Sequence, residues 1–145
     1  MNKFFINTDG GSRGNPGPAA IGVVFSDEKE KVFHDYKEYI GIGTNNEAEY
    51  RAIIKALEIL SKSKWFADNN SVEHGVVCRL DSQLVVEQLN GNYKIKQEHI
   101  RGFVDQIFRL TKEFKIDLKF IHIPREENKL ADKLVNEALD EKLKK

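Results

Sequence analysis

Four carboxylates, Asp9, Glu49, Asp81 and Asp132, stand where a plain fold would not choose an acid. Asp9 and Asp81 each close an apolar run that reads as a strand. Glu49 falls on the inward face of a helix, and Asp132 lies beside the apolar stripe of the last helix. Brought together, the four would repel one another strongly unless cations lay between them. An oxygen-only cluster suits hard divalent ions, magnesium above all, with manganese as a substitute. Two such ions about 4 Å apart clamp a scissile phosphate, one activating a water and the other stabilising the leaving oxygen, so no side-chain nucleophile is required. The chemistry implied is metal-dependent hydrolysis of a phosphate ester.

The elements that must position these acids are legible from periodicity. Strands are expected over Lys3–Thr8, Ala20–Ser26 and Lys31–Ile40, the last two joined by the polar turn Asp27–Glu30; together they form an antiparallel meander. Gly10–Pro18 reads as a turn-rich loop. A helix over Asn46–Lys62 places Ala52, Ile53, Ala56, Leu57 and Leu60 inward and Glu47, Arg51, Lys55 and Glu58 outward. Glu49 precedes Ile53 by four residues and so shares its face, whereas Glu47 does not. A strand over Gly75–Leu80 follows, then helices over Ser82–Leu89 and Gln97–Phe114, a strand over Asp117–His122, and a last helix over Asn128–Leu143. The order is βββαβααβα. It predicts a single α/β domain over 1–145, a mixed five-stranded sheet with strands 1–3 antiparallel, strands 1, 4 and 5 parallel, and helices on its faces.

In such sheets sites collect beyond the C-terminal strand ends. Parallel neighbours ending at Asp9 and Asp81 would set the two carboxylates side by side, with Glu49 and Asp132 arriving from helix starts. Taken singly, each acid has a structural use as well. Asp81 could cap the helix that follows, in competition with Ser82. Asp132 could complement a helix dipole, and Asp9 could serve a turn before Gly10 and Gly11. Glu49 is hardest to explain this way, because an unpaired carboxylate on a core face is costly.

The composition sets bounds. The chain has 145 residues, 40% hydrophobic and 32% charged, enough for one domain with a core. Lys plus Arg and Asp plus Glu are both 23. The neutral total gives no general attraction to nucleic acid, so polyanion binding must rest on locally placed cations and backbone N–H groups. The single cysteine, Cys78, sits in an apolar run and is expected to be a buried filler. No signal peptide or membrane span is expected, and the setting inferred is reducing and cytoplasmic, with a monomer as the expected state. The glycine loop is followed by no Gly-Lys-Ser/Thr and leads into a strand, which argues against an NTPase or a dinucleotide fold.

These motifs carry a resemblance. Thr8-Asp9-Gly10-Gly11-Ser12 with Gly14-Asn15-Pro16-Gly17, Thr44-Asn45-Asn46-Glu47-Ala48-Glu49, Asp81-Ser82-Gln83, and His122 with Asn128 and Asp132 follow in order along nearly the whole chain. The chain thereby resembles ribonuclease H of type 1. The resemblance implies the ribonuclease H-like fold and endonucleolytic cleavage of the RNA strand of an RNA/DNA hybrid, leaving 5′-phosphate and 3′-hydroxyl ends. It implies that Asp9, Glu49, Asp81 and Asp132 hold two Mg2+ ions and that His122 assists proton transfer or product release. It further implies substrate contacts from Asn15, Asn45 and Gln83, from the backbone amides of Gly10 and Gly11 to RNA 2′-hydroxyls, and from Thr44 to a DNA-strand phosphate. Recognition by shape and 2′-hydroxyl fits an enzyme indifferent to base sequence.

The chain departs from many members of that family in having only Asn90–Lys96 where they carry a basic helix with tryptophans. Lys94, Lys96 and Arg101 would offer a smaller handle, and the only tryptophan, Trp65, lies elsewhere. No hybrid-binding domain is expected beside the catalytic one. In this compact form it resembles archaeal and some bacterial branches. Alternatives are a relaxed nuclease that also cuts double-stranded RNA, a superfamily nuclease acting on DNA, and a non-catalytic nucleic-acid-binding module of the same fold. Against the last, a binding module gains little from four mutually repelling acids.

Overall fold

The computed structural model describes residues 2–64 and 74–144; Trp65 lies outside the described residues. Ten elements follow one another: β1 (Asn2–Ser12), β2 (Gly17–Ser26), β3 (Val32–Gly43), α1 (Asn45–Lys62), β4 (His74–Leu80), α2 (Gln83–Leu89), α3 (Glu98–Glu113), β5 (Ile116–His122), a 3-10 turn (Arg125–Glu127) and α4 (Lys129–Leu143). The sheet order is β3-β2-β1-β4-β5. β1 pairs antiparallel with β2 and parallel with β4, and β4 pairs parallel with β5. The expected mixed sheet is therefore the one observed.

The helices split over the two faces. Ile6, Val23, Val76, Cys78 and Leu80 of the sheet pack with Tyr50, Ile53, Leu57 and Leu60 of α1, Val85 of α2 and Ile107 of α3 in the main core. A smaller cluster joins Ala20 of β2 to Val135, Ala138 and Leu139 of α4. Alternation along a strand decides which residues belong to which face. Cys78 is buried, its thiol pushed up to about 12 chiefly by that burial. No helix among the described residues is long and apolar enough to cross a membrane.

Two expectations are corrected. Asp9 does not end the first strand: β1 continues to Ser12, paired through Ser12 with Ala19. The reason is steric. A side chain on Gly10 would bring its Cβ to 2.3 Å from the carbonyl of Ala48, so only glycine lets the strand run on beneath α1. The loop read over Gly10–Pro18 shrinks to the few residues around the cis Asn15–Pro16 bond. The segment before the last helix also contains an unexpected 3-10 turn, Arg125–Glu127, opened by Pro124.

Candidate active site

Each acid is placed by a local feature. Asp9 lies inside β1 opposite Gly22 and is 7% exposed. Asp81 follows the last residue of β4; the Ser82 hydroxyl accepts from Val85 N and caps α2, so the aspartate is not needed there. Glu49 is the fifth residue of α1, whose start is fixed by a capping box. The Thr44 hydroxyl accepts from Glu47 N, and the Glu47 carboxylate accepts from Thr44 N. Asp132 sits in the first turn of α4, its amide bonded to Asn128 O.

The structure brings three of them together. Carboxylate oxygens of Asp9, Glu49 and Asp81 lie within 4.8 Å of one another. Asp132 is not in that tight group but lines the same cleft, of about 390 Å³, together with Gly10, Gly11, Asn45, Arg13 and Arg125. One oxygen of Glu49 accepts from Gly10 N at 3.3 Å. The other, Oε2, is buried without a partner among the described residues. Burial, and then the charge of Asp81, hold the Asp9 carboxyl up to about 7. Burial and then the charge of Asp9 raise Glu49 well above the carboxylate range. A buried acidic oxygen with no donor, beside two further carboxylates, is the arrangement that a hard divalent cation would satisfy.

The remaining expected residues surround this centre. His122 is exposed at the end of β5, in register with Leu80, the residue before Asp81. Asn45 Oδ1 accepts from Ser12 N at 2.9 Å, and Asn15 Oδ1 accepts from Asn45 N at 3.0 Å, so both side chains tie the glycine loop to the start of α1. Gln83 is exposed at the first position of α2. The Gly10 amide, expected at a 2′-hydroxyl, is instead engaged by Glu49. Arg101 turns its Nε to Ile95 O, while Lys94 and Lys96 are exposed. His34 and His99 are exposed, as ordinary surface residues.

Sequence reasoning missed two cleft cations. Arg13 pairs with Asp140 of α4 at 2.6 Å, and Arg125 approaches Asp132 at 3.9 Å. The signal was present, since each is an arginine embedded in a motif otherwise made of turn residues and acids.

A mixed sheet with Asp9 inside its central strand, Asp81 just past the end of the neighbouring β4 and Glu49 on the covering helix defines a class, and the comparisons agree with it. A family described as "Reverse transcriptase-like" matches residues 7–138. LC11-RNase H1, isolated from compost, is 48% identical with a TM-score of 0.88, covering 99% of each chain. The same protein has been crystallised with an RNA/DNA hybrid; that structure is 46% identical with a TM-score of 0.89, covering 97% of this chain and 99% of that one. RNase H1 of the archaeon Halobacterium salinarum is 37% identical with a TM-score of 0.82, covering 96% and 98%. Among curated relatives, the bifunctional protein Rv2228c of Mycobacterium tuberculosis is 39% identical over 139 residues, 95% of this chain, which spans only 36% of that protein's length. The chain belongs to the reverse transcriptase-like family and, within it, to ribonuclease H of type 1, a family of nucleases.

Proposed function

We propose that this protein hydrolyses the RNA strand of RNA/DNA hybrids, leaving 5′-phosphate and 3′-hydroxyl ends. The observation that carries the reading is the group of Asp9, Glu49 and Asp81, together with the buried, unpartnered Oε2 of Glu49. The hybrid complex of LC11-RNase H1 supports the substrate class. Asp9, Glu49, Asp81 and Asp132 are the residues that would hold Mg2+, and two such ions would supply Lewis-acid polarisation of the scissile phosphate and a water nucleophile at neutral pH.

The chain's own residues do the rest. Asp9 and Glu49 must lose the proton that burial favours before they can ligate, so metal binding is coupled to deprotonation. Asn15 and Asn45 lock the glycine loop against α1 with their oxygens. With those oxygens engaged, the Nδ2 groups of these two exposed side chains are the donors left for a sugar edge or phosphate. Gly11 lines the cleft, where a Cβ would make only ordinary 3.8 Å contacts with Asn45 and Val135, so the protein itself does not demand glycine there. Gln83 and Thr44 flank the approach on the helix starts. His122, exposed at the end of β5, would assist proton transfer or product release.

The test is cleavage of an end-labelled RNA strand paired to DNA or to RNA, in magnesium, manganese or chelator. Cutting of the hybrid alone, abolished by chelator and by Asp9→Asn, is the expected result. Equal cutting of both duplexes would replace hybrid specificity with a relaxed nuclease, and no cutting in any metal would leave a binding module.

A further inference from the structure

On the face of the sheet that carries Asp9, a run of polar contacts links three elements across long sequence distances. Arg79 Nε donates to Asn7 Oδ1 at 2.8 Å. Asn7 Nδ2 donates to Asn128 Oδ1 at 3.2 Å. Asn128, 1% exposed, donates its Nδ2 to Thr8 O at 2.9 Å. The Arg79 guanidinium is itself held by Glu30, at 2.5 Å, and by the face of the Phe5 ring, at 4.3 Å.

The members of this run are not scattered. Asn7 lies two residues before Asp9 on β1, Arg79 is on β4 two residues before Asp81, and Asn128 is the N-cap of α4, four residues before Asp132. Asn7 and Asp9 share one face of β1, Arg79 sits just before the strand end that leads into Asp81, and the Asn128 carbonyl accepts from Asp132 N at 3.1 Å, so each polar residue adjoins one acid along the backbone. The direction of the hydrogen bonds is also determined. An arginine can only donate, so Asn7 must offer it oxygen and turn its NH2 to Asn128. Asn128 must then accept with its oxygen, and its NH2 is aimed at the Thr8 carbonyl. One guanidinium thus fixes the orientation of two amides and ties the start of α4 to the strand bearing Asp9.

We propose that Arg79, Asn7 and Asn128 form a positioning chain that sets the spacing of Asp9, Asp81 and Asp132 for metal binding. None of the three lines the cleft; they act through the backbone that carries the acids. This inference rests on the proposed function of the same site.

The test uses Arg79→Met, Asn7→Leu, the double variant and Arg79→Lys in the full chain. Four quantities are read: Mg2+ affinity by calorimetry, kcat and KM on an RNA/DNA hybrid, and the melting temperature. Each single severing variant is expected to weaken Mg2+ binding and lower kcat roughly tenfold, the usual effect of losing a partner that orients ligands, with KM nearly unchanged. The double variant is expected to be no worse than the poorer single, because both cut one chain, and Arg79→Lys is expected to recover most of the loss. The sign is diagnostic. Removing a cation near an acidic site would by charge alone tighten Mg2+ binding. Tighter or unchanged Mg2+ binding, independent effects that multiply in the double variant, or a fall in melting temperature with Mg2+ affinity and kcat intact would each overturn the chain. Wild-type protein that neither binds Mg2+ nor cuts would overturn the functional reading and this inference with it; a competent wild type with indifferent variants overturns the inference alone.

Discussion

Gly10 N donates to Glu49 Oε1 at 3.3 Å, and a Cβ on Gly10 would stand 2.5 Å from Glu49 N. One residue therefore supplies both the hydrogen bond and the clearance that place the most buried acid of the site. Gly10→Ala cannot be absorbed by a side-chain rotation, because the clashing atoms are backbone. It is expected to destabilise the fold by about 3 kcal/mol or more, at the severe end for a single change. Urea unfolding would measure this, and Mg2+ titration of whatever fraction remains folded should show weakened binding.

Removing the metal should expose a pH dependence of stability. The Asp9 carboxyl titrates near 7 in the fold against an ordinary 3.8. Between those values the folded chain holds a proton that the unfolded chain has lost. The contribution of Asp9 in chelator is therefore fully present below about pH 4 and is lost as pH rises to about 7, the loss being on the order of 4 kcal/mol, and Glu49, raised by burial and by the charge of Asp9, adds a loss of the same sign. Glu47, whose carboxyl is lowered chiefly by the Thr44 backbone N–H, acts oppositely but only as pH falls below its ordinary 4.5, clear of a comparison between pH 5 and pH 8. The expected result is a higher urea midpoint at pH 5 than at pH 8 in chelator. Asp9→Asn should reduce that slope, and millimolar Mg2+ should reverse it.

Glu49→Gln keeps the shape and the acceptor for Gly10 N while removing the charge. In chelator it is expected to melt no lower than wild type at pH 8. Cleavage should fall to the chelator background, and the rise in melting temperature that Mg2+ gives the wild type should vanish. A persisting Mg2+ increment would show that the ion binds elsewhere.

Thr44 has a structural use that its expected phosphate contact does not require. Thr44→Ala opens the capping box of α1 and should cost about 1 kcal/mol in unfolding free energy. Thr44→Ser should restore the stability. If it also restores hybrid affinity, the hydroxyl rather than the methyl serves the substrate.

Much of this was readable before the structure, for a physical reason. The apolar stripe Ile100, Val104, Ile107 and the Ala52, Ile53, Ala56, Leu57, Leu60 face are periodic, and periodicity reports burial directly. Glu49 stood out because it violated that period. What was not readable depended on contacts across the fold. β1 outran its expected end because the space above Gly10 is decided by α1, far along the chain. Asn7 and Arg79 looked like ordinary strand polars, since nothing local reveals that their partners lie 121 and 72 residues away. Arg13 and Arg125 were hidden inside motifs whose other residues drew the reading.

Gly22 faces α4 as Gly10 faces α1. A Cβ there would stand 2.4 Å from Ala131 O and 2.9 Å from Leu134 Cβ. The backbone of α4 rests on bare strand one residue away from Asp132, so the depth at which that acid enters the cleft is set by a missing side chain. The gauge of the site is thus two gaps, at Gly10 and Gly22, that hold no reactive group. A redesign that kept every acid and filled either gap would leave the chemistry written in the chain but out of alignment in space.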